Sequence, residues 1–223
     1  MRPLNRRGRP PVAGLAERRR EEILAAATSA FARHGFAGSD LQKVADALRV
    51  GKGTVYRYFA SKEALFLAAV DRGLRRLQAR VDAEAGPERE PLDRLSRAAR
   101  AYLRFFDANP EVVELFVQER AAFRGRRPAY FAHQDLHLAP WTGLFRSLIR
   151  EGRARRIPVG RITDVLGAAF YGVLFTNHFQ GRRPNPERQA RDVLDVVLHG
   201  ILGANAAPGR RVRKTREPGE RHP

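Results

Sequence analysis

The chain has 223 residues, 43% of them hydrophobic, a formal net charge of +18 and no cysteine. That length carries one large or two small domains with their own cores, and the lack of cysteine excludes a disulfide framework, thiolate metal sites and cysteine nucleophiles. A charge of this size attracts polyanions, of which nucleic acid is the commonest.

The excess charge is gathered at the ends. Arg2, Arg6, Arg7, Arg9, Arg18, Arg19 and Arg20 stand against Glu17 near the start, and Arg210, Arg211, Arg213, Lys214, Arg216 and Arg221 against Glu217 and Glu220 near the finish. Residues 1–15 mix Pro, Gly and Arg without periodicity and predict a disordered basic arm; residues 205–223 predict a matching tail. The opening MRPLNRRGRPP lacks the hydrophobic core of a signal peptide and no apolar run approaches bilayer-spanning length, so the expectation is a cytoplasmic protein with no membrane partner.

A first helix is expected from about Glu17 to His34, with Ile23, Ala27 and Phe31 on one stripe and Gly35 as its stop. Then comes SDLQKVADALRVGKGTVYRYFASK, Ser39 to Lys62. Leu41, Val44, Ala45 and Leu48 recur at i, i+3, i+4 and i+7, and Ser39 with Gln42 forms a capping-box pattern at the start of that short helix. Arg49 to Lys52 break the pattern. In the run that follows Val55 and Phe59 face inward and leave Lys52, Thr54, Tyr56, Arg57 and Tyr58 pointing out, the mixture of cation, hydroxyl and phenol that grips phosphates and reaches base edges from a major-groove helix. The spacing predicts a helix-turn-helix.

At these residues, GKGTVYRYFASKEAL above all, the chain resembles the DNA-binding domain of the tetracycline-repressor (TetR/AcrR) family of bacterial transcriptional regulators. The resemblance covers about Arg18 to Phe66. It departs at the turn, where the family usually carries glycine in place of Arg49 and serine in place of Gly51; a left-handed Arg49 would be strained. The residues singled out for DNA are Ser39, Gln42, Lys43, Lys52, Gly53, Thr54, Tyr56, Arg57, Tyr58 and Lys62, the last by reach and by resemblance.

Ser61 caps a long helix through Leu65, Phe66, Ala69, Val70, Leu74, Leu77 and Val81 that joins the reading head to the rest. AGPEREP reads as a loop. Further helices are expected from Leu92 to Asn109, ended by the Asn109–Pro110 step, from Glu111 to about Phe123, and from about Ala129 to Glu151 with Pro140 kinking or splitting it. Ile162 to Gln180 is apolar nearly all round, and Asn185 caps a last helix with Pro186 in its first turn. The fold class is all-α: a three-helix DNA-binding domain over residues 16–62 and a larger helical regulatory and dimerisation domain over 63–204, about nine helices in all.

A helix apolar on every side must be covered on every side. The surplus, with Gly167 and Gly172 permitting close approach and Leu194, Val197 and Ile201 on the last helix, implies a homodimer; two core helices of a larger monomer is the alternative. The resemblance points the same way, since in that family the last two helices form a four-helix dimer interface.

His133 and His137 lie four residues apart with no third ligand nearby, so they read as a solvated polar face, and no metal or other cofactor is expected. Aromatic side chains crowd the second domain. Most are core, but a pocket between such helices is where small apolar molecules bind, and the resemblance assigns that space to inducers; Tyr102, Phe106, Phe116, Trp141, Phe145, Tyr171 and Phe175 are the candidates. Thr176, Asn177 and His178 are polar groups in apolar company that need partners. The reading is a ligand-responsive repressor, not an enzyme, binding a palindromic double-stranded operator as a dimer and released by a small apolar or amphipathic effector. Its rivals are a sequence-indifferent architectural DNA-binding protein and a helical enzyme acting on an apolar substrate, for which no convergent acid, base or metal set exists.

Overall fold

Residues 14–86, 90–183 and 185–199 are described by a computed structural model, and among them there are ten α-helices and no strand. The helices are α1 Leu15–Gly38, α2 Leu41–Ala47, α3 Lys52–Tyr58, α4 Lys62–Ala85, α5 Pro91–Ala108, α6 Pro110–Ala122, α7 Ala129–Leu136, α8 Ala139–Arg150, α9 Val159–Phe179 and α10 Pro186–His199. The tenth helix beyond the nine expected arises where Pro140 was foreseen to interfere. It sits in the first turn of α8, where its missing N–H costs nothing, while the chain before it leaves helical geometry after Leu136. The predicted basic arm and tail, and Ile201, lie outside the described residues.

The local stops and starts follow from single residues. Gly35 has φ 73° inside the α1 span and kinks it there, ending the regular helix where expected. Ser61 caps α4 by accepting the Ala64 N–H at 3.0 Å, and Asn109 ends α5 while Pro110 opens α6. One expectation changes: Asp40, not Ser39, caps α2, accepting the Gln42 N–H at 3.0 Å. Ser39 is 4% exposed and donates its hydroxyl back to Gly35 O at 2.7 Å and Ala30 O at 3.3 Å, so burial decides between two neighbouring residues of equal capping propensity.

Arg49 is the one described non-glycine residue with positive φ, 53°, as its place in the turn implied. Only glycine enters that region without steric cost. Arg49→Gly is therefore expected to raise stability by about 1 kcal/mol in urea titration, because relief of the Cβ clash outweighs the extra entropy lost by glycine. An unchanged or lower midpoint would mean that the exposed guanidinium contributes more than the strain removes.

One cluster of buried side chains runs from the three-helix head into the body. Ile23, Leu24, Phe31, Val44, Val55 and Phe66 fill the head, and Leu74, Leu77, Phe106, Val112, Leu115 and Phe116 continue the same core along α4, α5 and α6. Phe66 stacks edge-on to Phe31 and Phe36 at 5.1 and 5.0 Å and lies 5.8 Å from Phe123. Polar links reinforce the seam: Arg72 pairs with Glu21 at 2.7 Å, and Gln118 donates to Phe31 O at 2.9 Å. A second cluster gathers Leu95, Leu103, Leu144, Phe145, Leu148, Leu166 and Leu194 from α5, α8, α9 and α10.

α9 is long and apolar enough to cross a membrane by length and composition, which corrects the expectation that no segment is. Its inward residues Thr163, Leu166 and Leu174 pack within this body, while Val165, Ala168, Gly172, Thr176 and Phe179, spaced three or four apart, form a continuous exposed stripe.

Candidate nucleic-acid interface and internal cavity

α2 and α3 form the predicted pair, and α3 presents its polar residues outward because Val55, the one fully buried residue it contributes, fixes its register. Tyr56 is 47% exposed, Arg57 is exposed with its guanidinium 5.7 Å from the Tyr58 ring, and Thr54 and Tyr58 are half-buried. At Gly53 an added Cβ would meet nothing within 4 Å, so the protein's own packing does not require glycine there and the backbone is open to an approaching partner.

The cations around α3 are held in place by the fold. Lys52 pairs with Asp40 at 2.9 Å; the Gln42 N–H, then Lys52, keeps the Asp40 carboxyl below the usual carboxylate range, and Asp40 in turn raises Lys52. Gln42 donates to Asp46 at 2.7 Å, and Lys43 reaches Gly38 O at 3.3 Å. Lys62 spans from the start of α4 to Ala37 O at 3.3 Å and Ser39 O at 3.2 Å and sits 4.7 Å from the Phe36 ring centroid, a structural clamp that sequence reasoning did not foresee. Ser39, with its hydroxyl turned inward, offers an approaching phosphate no side-chain contact.

The seven aromatic candidates divide among three concave sites of the body. Tyr102, Trp141 and Phe145 line a cavity of about 180 Å³ together with Leu74, Leu77, Gln78 and Val81 of α4, Tyr130, His133, Gln134 and His137, and Leu166, Gly167 and Phe170 of α9. Phe106 borders a second space of about 280 Å³ near His178 and Arg182. Phe116, Tyr171 and Phe175 border a third of about 400 Å³ with Arg120 and Arg126. Tyr130 separates the first from the third.

His133 and His137 are not a solvated face. Their rings lie 4.2 Å apart in the cavity wall, and no group of three metal-ligating side chains occurs among the described residues. Burial, then His137, lowers the His133 pKa, so His133 is neutral at pH 7, and its Nε2 is buried without a hydrogen-bond partner. The Tyr102 and Tyr130 hydroxyls meet at 2.7 Å; burial pushes Tyr130 up to about 12 and Tyr102 well above its ordinary value, so both remain phenols. Near the end of α9 the needed partners exist: His178 Nε2 lies 3.1 Å from Glu114, and Asn177 and Gln189 exchange amide hydrogen bonds.

The dimer candidates also separate. Leu194 is 6% exposed and packs on Leu95, Leu103 and Leu144 of its own chain, and Val197 leans on the same cluster. A Cβ at Gly167 would come within 2.3 Å of the Gln134 amide, so the approach it permits is internal, whereas Gly172 faces open space. The sequence showed that these helices are apolar but not which side of each meets its own chain.

A helix-turn-helix head with an exposed cationic and phenolic second helix, fused through one long helix to a helical body, defines a DNA-binding transcriptional regulator. Residues 23–69 match the family model for bacterial regulatory proteins of the tetR family. It is 27% identical over 152 residues to the HTH-type transcriptional repressor SCO4008 of Streptomyces coelicolor, covering 68% of this chain and 71% of that one. It is 33% identical over 96 residues to the repressor KstR of Mycobacterium tuberculosis, where the match spans 43% of this chain and 44% of the relative. Among solved structures, the tetR-family regulator PfmR from Thermus thermophilus superposes with a TM-score of 0.65 at 22% identity over 81% of this chain and 99% of that one. FadR from Bacillus subtilis, solved with stearoyl-CoA, gives 0.69 at 15% identity over 82% and 99%.

Proposed function

We propose that the protein is a homodimeric repressor whose residues 16–62 read a palindromic operator and whose residues 63–204 bind a small effector that releases it. The observation that carries this reading is that four residues of α4, Leu74, Leu77, Gln78 and Val81, are wall of the 180 Å³ cavity while the other end of that helix is clamped to the head by Lys62. A ligand in the cavity therefore touches the element that positions α3. If it prefers a tilt of α4 that misplaces the two heads for successive major grooves, DNA affinity falls by population shift. The exposed stripe of α9 supports pairing with a second copy, since Ala168 and Gly172 let backbones approach and Val165 and Phe179 supply apolar area.

The test is operator binding by single substitutions in α3. Arg57→Ala and Tyr56→Phe are expected to weaken binding, by roughly 1–3 kcal/mol on the operator alone where a base contact is lost, or on all sequences alike with a salt slope smaller by about one where a phosphate contact is lost. Full binding by both variants would remove α3 from the interface. An equal affinity for operator and random DNA would instead favour an architectural role.

A further inference from the structure

Resting on that effector reading, we infer that the 180 Å³ cavity takes a compact, uncharged molecule bearing a carbonyl or hydroxyl oxygen, which the Tyr102–Tyr130 pair and His133 recognise, and not an acyl-CoA or another anion. Size sets the first limit. A cavity of about 150 Å³ accommodates benzene, so the part of a ligand buried in this partly open site of about 180 Å³ is a single substituted ring or a branched chain of similar bulk. Charge sets the second: Arg94, 5.3 Å from the Trp141 ring centroid, is not among the lining residues, and these include no lysine or arginine, so a carboxylate or phosphate entering the site would lose its hydration with no cation in the wall to replace it. Arg120 and Arg126 border the separate 400 Å³ site, and Arg182 and Arg183 the 280 Å³ one.

The third limit comes from counting protons. Two phenols carry two O–H protons, and the single hydrogen bond between them at 2.7 Å uses one. The accepting hydroxyl retains a proton that this bond does not engage, in a largely apolar wall whose other polar side chains are Gln78, His133, Gln134, His137 and Thr163. His133 Nε2 is a second unpartnered polar atom on the same helix, one turn from Tyr130. A ligand oxygen can accept the phenol proton, and a hydroxyl can also complete the imidazole nitrogen.

Cyclohexanone and methylcyclohexane match the cavity in size and differ in the oxygen, so they serve as probes. By calorimetric titration of the full chain, Tyr102→Phe combined with Tyr130→Phe is expected to weaken cyclohexanone about tenfold, the fold-change of one good neutral hydrogen bond, while methylcyclohexane is unaffected or tightened. Equal loss for both probes would overturn the polar recognition. A competition on the unaltered protein needs no variant: cyclohexanecarboxylate and stearoyl-CoA are expected not to displace cyclohexanone, and displacement by either overturns the uncharged class. Operator affinity read in the same samples separates the two levels of the argument. Cyclohexanone that binds as described yet leaves DNA affinity unchanged supports the site and defeats the effector reading; stearoyl-CoA that releases DNA while cyclohexanone fails to bind defeats the ligand class and leaves the effector reading standing.

Discussion

Val165→Asp is expected to turn a dimer into monomers and abolish binding to a palindromic operator, while the isolated subunit keeps its fold. Val165 is 50% exposed on the outer stripe of α9, so an aspartate there is solvated in the monomer and costs that subunit little. In a two-fold pair the same patch serves both subunits, so each substitution is met twice, and burying two unpaired carboxylates costs several kcal/mol. At about 1.4 kcal/mol per tenfold, that moves even a nanomolar dimer into the micromolar range or beyond. Phe179→Asp, at 68% exposed, should act in the same way. Leu194→Asp is the contrast: its side chain is buried against α5 and α8 of its own chain, so it should lower the thermal midpoint whatever the state of association. Sedimentation of Val165→Asp as an unperturbed dimer would place the contact elsewhere, and a Leu194→Asp variant with native stability would contradict the packing itself.

The second large effect is expected at Phe66. Phe66→Ala should cost about 3–5 kcal/mol in denaturant unfolding, the range for removing a fully buried phenyl ring that leaves a cavity. Against a typical stability of about 5–15 kcal/mol this is roughly a fifth or more of the total. Phe66 touches α1 through Phe31 and Phe36 and the end of α6 through Phe123, so its loss loosens the head from the body as well as the head itself. A double-mutant cycle with Phe123→Ala should give a coupling of about 0.5–1.5 kcal/mol, the value of a direct ring pair. A loss below about 1 kcal/mol would show that head and body do not share one core.

The parts of this molecule legible in its sequence are those decided by local chemistry. Val44, Ala45 and Val55 fix two helix faces, Ser61 and Pro110 fix two helix starts, and Arg49 falls on a positive φ because the turn geometry demands one at that place. What stayed hidden depends on how whole helices are rotated against one another. The spacing of His133 and His137 puts them on one face of α7, yet only the packing of α7 beside α4 turns that face toward a cavity. Gly167 and Gly172 are equivalent in a sequence of small and apolar residues; Gln134 distinguishes them. Seven aromatic residues that share a composition bias belong to three separate spaces. Ala98, in the cavity wall on α5, is the position where an added ring would occupy that space.

The Lys62 clamp makes α4 a lever with its load at one end. Leu77 lies fifteen residues from Lys62, about 22 Å at 1.5 Å per residue. A swing of about 5° about Leu77 carries the lysine, and the carbonyls of Ala37 and Ser39 that it holds, through about 2 Å, several times the width of the distance window for a good hydrogen bond. A displacement of a few tenths of an ångström where Val81 meets a ligand is enough, by ratio of arms, to carry α3 out of register with a phosphate it had been touching. On the effector reading proposed above, release of DNA is then a matter of that angle.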